Sequence, residues 1–118
     1  MERGLITRQF DRTKVLEEIR EMARIITERF HPHKIILFGS FARDTAGPDS
    51  DADLLVVMPF SGRRREIETE IDLALADRRI PLDVIVVTPD EVERERDLVG
   101  TIIRPALREG MALHEQGG

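Results

Sequence analysis

The chain has 118 residues and a mass of 13.5 kDa, enough for one hydrophobic core and too few for two, so a second catalytic or acceptor-binding domain has to come from another chain. Charged residues make up 35% of it, yet 23 acids against 18 bases leave a net charge of -5, which disfavours direct nucleic-acid binding through a globally basic face. The absence of cysteine removes thiol nucleophiles, disulfide frameworks and Cys-based metal sites, and the absence of tyrosine means that any tyrosine modification falls on another protein.

From Asp11 to Phe30, Val15, Leu16, Ile19, Met22, Ala23, Ile26 and Phe30 recur at three- and four-residue steps, which predicts an amphipathic helix with Asp11 or Thr13 as N-cap. Neither this segment nor Met1 to Phe10 carries a membrane-spanning or signal-peptide apolar run, and a soluble cytoplasmic protein is expected. His31-Pro32-His33 breaks the helix. The two histidines read as solvated loop residues, because no third ligand stands at metal-binding spacing. Lys34 to Phe38 (KIILF) is a continuous apolar run and reads as a buried strand ending at Gly39-Ser40.

Phe41 to Ala46 is expected to be helical or looped, and Gly47-Pro48-Asp49-Ser50 to turn. A second strand is predicted from about Asp51 to Met58, closed by Pro59 to Gly62. Ile67, Ile71, Ala74 and Leu75 then mark a helix from about Arg64 to Arg79 with Ser61 as a candidate cap. Arg63-Arg64-Arg65 at its start opposes the helix dipole; Glu66, Glu68 and Glu70 offer neighbouring charges, and an anionic partner is the other way to offset the cost. Leu82 to Val87 (LDVIVV) reads as a third buried strand.

Thr88-Pro89-Asp90-Glu91 has the form of a capping box with proline at the first helical position. The helix that follows carries Val92, Leu98, Val99, Ile102, Ile103, Ala106 and Leu107, with Gly100 and Pro105 expected to kink or divide it. That stripe offers more apolar surface than a small sheet needs, so a homo-oligomer or partner interface is expected there. Gly110 reads as the helix stop and Met111 to His114 as a short edge strand. One layer of strands covered by helices follows.

Aspartate is depleted in strand interiors, yet Asp51 and Asp53 open one apolar run and Asp83 opens another. Residues two apart on a strand share a face, so the first two carboxylates stand side by side and repel unless a hard divalent cation such as Mg2+ lies between them. With Asp83 at the same level on a neighbouring strand, three carboxylates would converge, room for one or two metal ions. Opposite them, the strand-to-turn junction at Gly39-Ser40 offers close backbone approach and a hydroxyl to phosphate oxygens. Together these features point to phosphoryl or nucleotidyl transfer.

Gly39-Ser40 followed ten residues later by Asp51-Ala52-Asp53, embedded in ILFGSFAR and SDADLLVV, resembles the signature of the DNA polymerase β-like nucleotidyltransferase superfamily, most closely its minimal nucleotidyltransferase (MNT) members. The likeness runs from about Lys34 to Val87 within one domain spanning 1–118. It implies an α/β (α+β) nucleotidyltransferase fold, a short mixed sheet flanked by helices. It also implies that Gly39, Ser40 and the basic Arg43 hold the phosphates of ATP or another nucleoside triphosphate. Asp51, Asp53 and Asp83 would then bind Mg2+, with Asp83 receiving the proton of the attacking hydroxyl. The resemblance further implies a HEPN-type helical toxin as partner, neutralised by attachment of AMP. Asp44 departs from the family, whose members commonly carry glycine there, and motivates the alternative of a non-catalytic module that masks its partner's site. Transfer to a small molecule is a third possibility, although such relatives usually add a helical domain that this chain lacks.

Overall fold

The computed structural model describes residues 11–43, 45–47 and 50–116. The expectations placed on Met1 to Phe10, Asp44, Pro48 and Asp49 lie outside that set. Helix α1 (Arg12–Phe30) begins where the Asp11 side chain accepts from the Lys14 amide, and it ends at His31, which takes a left-handed conformation (φ 52°) and donates its amide to Thr27 O. Its buried residues, Ile19, Met22, Ala23 and Ile26, lie on the predicted stripe. Pro32 is buried beneath the following turn, and His114 Nε2 reaches its carbonyl at 3.1 Å.

Four strands form one sheet in the order β3-β2-β1-β4: β1 (Lys34–Phe38), β2 (Ala52–Val57), β3 (Leu82–Val87) and β4 (Met111–Glu115). The β1 strand is antiparallel to β2 and β4, whereas β2 and β3 run parallel, joined by α2 (Arg64–Ala74). A parallel pair needs a crossover, and here the crossover helix covers one face of the sheet. That face packs Ala52, Leu54, Val56 and Val86 against Ile19 and Ile26 of α1 and Ile71 of α2. The opposite face packs Ile36, Leu55, Val57 and Val87 against Ile103 and Ala106 of α4 (Ile103–Glu109). Because β2 is covered on both sides, Leu54 to Val57 read as an unbroken apolar run rather than an alternating one.

Two expectations for the second helix require correction. The second helix stops at Ala74, not near Arg79, because Arg78 folds back to donate to the carbonyls of Asp72 and Leu75 and pairs with the Asp72 carboxylate at 2.7 Å. Its N-cap is Arg63 without a side-chain cap bond, in place of Ser61. As expected, the C-terminal helix is divided in two, α3 (Pro89–Glu95) and α4, at a turn containing Gly100 (φ 95°). Pro105 lies in the first turn of α4, where a missing amide costs no intrahelical bond. The predicted capping box at Thr88 and Glu91 is formed in full. Splitting the helix splits the apolar stripe too: Ile103 and Ala106 enter the core, while Leu98, Val99 and Ile102 remain exposed, Val99 at 83%.

Gly110 does end α4, but in an extended conformation any residue can adopt (φ -78°, ψ 167°). Its requirement is space, since a Cβ there would overlap Ala106 O and the Ile36 side chain. Among the described residues, no helix is long and apolar enough to cross a membrane.

Candidate active site

Each of the three acids is placed by the strand grammar that singled it out. Asp53 is the second residue of β2, facing Phe38 across the antiparallel ladder and Asp83 across the parallel one. Residues in register across a ladder share a face, so the Asp53 and Asp83 side chains rise from the same side of the sheet. By strand alternation this is the side of Leu55 and Val57, on which α4 packs. Asp51 lies one residue before β2, so the strand predicted to begin there starts at Ala52, whose amide bonds Pro81 O. Asp51 and Asp83 are exposed, and Asp53 is half-buried.

Burial pushes the Asp53 carboxyl above the usual carboxylate range, and the negative charges of Asp83 and Asp51 push it in the same direction against the opposing pull of Arg43. The three acids and the arginine therefore share one electrostatic neighbourhood. Among the described residues, however, no group of three or more Asp, Glu or His side chains is gathered closely enough to hold a metal ion. The expected convergence is present in strand register and in field. An all-carboxylate oxygen set on a rigid strand pair has the chemistry that a hard divalent cation requires. Asp51, Asp53 and Asp83 are the residues that fit it.

Gly39 forms the wall opposite. It has φ 77°, a conformation that L side chains rarely adopt, and a Cβ there would overlap Oδ2 of Asp53. Two separate demands, backbone twist and proximity to the carboxylate, therefore select glycine at this position. The stretch after it is a single turn, with Arg43 N–H donating to Gly39 O at 3.1 Å and Thr45 N–H to Ser40 O at 2.9 Å. Ser40 is half-buried at the head of this turn, and Arg43, exposed, pairs with Glu109 at the end of α4 at 3.8 Å.

Several supporting residues were not singled out by sequence. Arg12, in the first turn of α1, donates Nη2 to Phe41 O at 2.8 Å, fixing the glycine-serine turn from behind, and Phe41 itself is buried in the main core. A contact spanning 29 positions leaves no signal in local pattern. Glu109 is in the same position. Of the triple arginine, Arg64 takes a partner that neither expectation named. Arg64 donates to both carboxylate oxygens of Glu91, at 2.9 and 2.7 Å, and to Val86 O at 2.8 Å, so its partner is on α3 and not among Glu66, Glu68 or Glu70 of its own helix. Of those three, Glu68 turns to β3 and accepts the Val86 amide at 3.0 Å. His31 and His33 are exposed, and the His33 backbone bonds Val57 O and Gln116 N, in agreement with a loop role.

The model of the nucleotidyltransferase domain family matches residues 19–110, more than half of the chain, including Gly39, Ser40, Arg43, Asp51, Asp53 and Asp83. The chain belongs to this family. As a nucleotidyltransferase it shares its fold with a crystal structure from Sulfolobus solfataricus whose own nucleotidyltransferase assignment is provisional. That likeness has a TM-score of 0.56 at 20% identity and covers 89% of this chain and 84% of the other. A toxin-antitoxin crystal structure with AMP-PNP is similar at TM-score 0.54 and 17% identity, over 84% of this chain and 73% of that one. No curated protein matches the sequence significantly. A cavity of about 360 Å³ between α1 and the end of α2 lies on the sheet face away from the acids. A cavity of about 240 Å³ between α2 and β3 is lined by Asp83 itself.

Proposed function

We propose that this nucleotidyltransferase moves AMP from ATP to a hydroxyl of a partner protein, and that the partner is a HEPN-type helical toxin for which the chain is the antitoxin. The observation that carries the chemistry is the registry of Asp53 with Asp83 across parallel strands, with Gly39 turned against Asp53 at the mouth of the same strands. In this reading Gly39, Ser40 and Arg43 hold the triphosphate. Asp51, Asp53 and Asp83 hold Mg2+, one or two ions, which neutralises charge on the phosphates and favours the ionised acceptor. Asp83, exposed at the head of β3, takes the proton of the incoming hydroxyl. The hydroxyl oxygen forms a bond to the α-phosphorus as the bond from that phosphorus to the bridging oxygen breaks, and pyrophosphate leaves with the electron pair.

Fold similarity to the toxin-antitoxin structure with AMP-PNP supports the choice of ATP and of a toxin as partner. The lack of tyrosine in this chain is consistent with an acceptor tyrosine on another protein. The test is incubation with labelled ATP, Mg2+ and a candidate HEPN-type helical protein. Label on that protein, lost in the Asp51→Asn, Asp53→Asn double variant, is the expected result, and no label on any acceptor refutes the reading. A second reading, in which the chain neutralises its partner by covering it, is motivated by Asp44 where relatives commonly carry glycine. That reading is correct instead if the double variant protects cells from the toxin as well as the parent does.

A further inference from the structure

The sheet has one free edge beside the candidate site, and only part of it is closed. In β3 the backbone groups of residues 81, 83, 85 and 87 face β2, as the bonds of Ala52 N–H to Pro81 O and Met58 N–H to Val87 O establish at the two ends. Strand alternation then turns the N–H and C=O of Leu82, Val84 and Val86 outward. At Val86 both groups are satisfied by α2, the amide by Glu68 and the carbonyl by Arg64, and Arg64 is itself locked by Glu91. Two side chains there take the place of a neighbouring strand. At Leu82 and Val84, no described residue of the chain plays this part. Unpaired edges are a liability that folded proteins block with side chains, and among the described residues the part of β3 without such a block is the stretch that flanks Asp83.

The open stretch forms one wall of the 240 Å³ cavity, with Arg65, Glu68, Thr69 and Asp72 of α2 opposite and Asp83 at its side. A segment added to a strand edge places the residue opposite Asp83 on the Asp83 face, with Cβ atoms about 4.5–5.5 Å apart. That is also the face of Asp53.

The geometry points to the edge at Leu82–Val84 as the acceptor-docking surface. A short extended segment of the partner protein pairs with the outward N–H and C=O groups of Val84, and its Ser, Thr or Tyr residue opposite Asp83 presents the hydroxyl that is modified. This rests on the reading that the acceptor is a protein. The polar wall of α2 selects a hydrophilic segment, and the side chains capping Val86 end the pairing after about three residues, which fixes the register of the acceptor against Asp83.

The experiment is residue-resolved amide hydrogen exchange on the intact chain, alone and with the candidate HEPN-type helical protein and AMP-PNP, run beside the label-transfer assay. Expected are fast exchange at Leu82 and Val84 in the free chain and protection of Val84 by about tenfold or more in the complex. Thr69→Trp, which fills the cavity from an exposed helix position, is expected to reduce label transfer about tenfold or more while ATP affinity stays within about twofold. Protection of Val84 in the free chain overturns the proposal, because the edge is then already closed. Label transfer without protection of Val84, or undiminished in Thr69→Trp, overturns it while leaving the transferase reading intact. Absence of label on any protein overturns both.

Discussion

Substituting Glu91 tests whether the bracket on β3 carries weight. Its carboxylate accepts two bonds from Arg64 at 2.9 and 2.7 Å and a third from the Thr88 amide at 2.9 Å, with its side chain 19% exposed. The hydrogen bond from Arg64 is the main reason that its pKa is lowered from 4.5 to about 2, with burial opposing and Thr88 assisting. A depression of that size sets a ceiling of about 3 kcal/mol on its pH-linked stabilisation. The Arg64 side chain is 40% exposed, so solvent screening brings the expected value to about 1–2 kcal/mol. Glu91→Gln keeps the shape and one acceptor oxygen but exchanges charge-assisted bonds for weaker neutral ones, and at pH 7 its Tm is expected to fall by about 4–8 °C. Because the folded-state pKa is the depressed one, the stabilisation is fully present above the unfolded value near 4.5 and disappears as pH falls toward about 2. The parent and variant melting curves, followed by circular dichroism from pH 8 to 2.5, should therefore differ by a constant amount down to about pH 5.5 and converge below it. A gap under about 1 °C at pH 7, or one as wide at pH 2.5 as at pH 7, would show that this network does not hold the strand.

Four further substitutions probe the site and its supports. Asp53→Asn should melt about 1–4 °C higher than the parent at pH 7, since it removes a carboxylate destabilised by burial and by Asp83 and Asp51, while label transfer falls at least about 100-fold. The sign in acid follows: the folded Asp53 binds its proton more tightly than the unfolded one, so the parent closes this gap as pH drops through the raised pKa, and a gap that widens in acid refutes the assignment. Gly39→Ala must accommodate φ 77° and displace the Asp53 carboxylate, with an expected cost of about 1–3 kcal/mol in urea unfolding and at least tenfold weaker ATP binding by calorimetry, on the order of 1.4 kcal/mol. Arg12→Ala removes the bond to Phe41 O and should cost about 1 kcal/mol, and ATP affinity should fall with it and recover partly in Arg12→Lys. Gly110→Ala should lower stability by about 1–3 kcal/mol through overpacking against Ile36 and Ala106 O, leaving ATP affinity unchanged, as calorimetry alongside thermal melts will read.

The elements that could be read from sequence were those decided by local pattern. The α1 stripe, the three apolar strands, the capping box at Thr88 and the glycine-serine bend all appear where periodicity and turn chemistry put them. Register between strands could not be read, since no rule of spacing states that Asp53 faces Asp83; apolar runs can slide past one another until side chains and turns fix them. The end of α2 was misjudged because Leu75 continues the apolar spacing, whereas the terminus is set by Arg78 returning to two carbonyls. For Arg63-Arg64-Arg65, charge spacing offers Glu66, Glu68 and Glu70 or an external anion, while the position of Arg64 against Glu91 depends on how α3 lies beside α2. The first miss turns on a side chain folding back onto its own helix end, the second on a contact spanning 27 positions.

The placement of the acids explains why these strands tolerate them. Asp53 and Asp83 occupy the second positions of β2 and β3, while Leu55, Val57 and Val87, further along on the same face, are covered by α4. Moved two residues inward, either carboxylate would meet Ile103 or Ala106 and carry a desolvation cost of several kcal/mol without a partner. Moved outward to the position of Asp51, it would leave the ladder and lose the rigidity that registry supplies. The strand entrance is the one level at which a carboxylate is held by the sheet and still reaches water. The raised pKa of Asp53 is the residual cost of that compromise, and it makes a definite thermodynamic claim. Any cation that binds there relieves repulsion already present in the free fold, so Mg2+ should raise the Tm of the parent and have no such effect on Asp53→Asn.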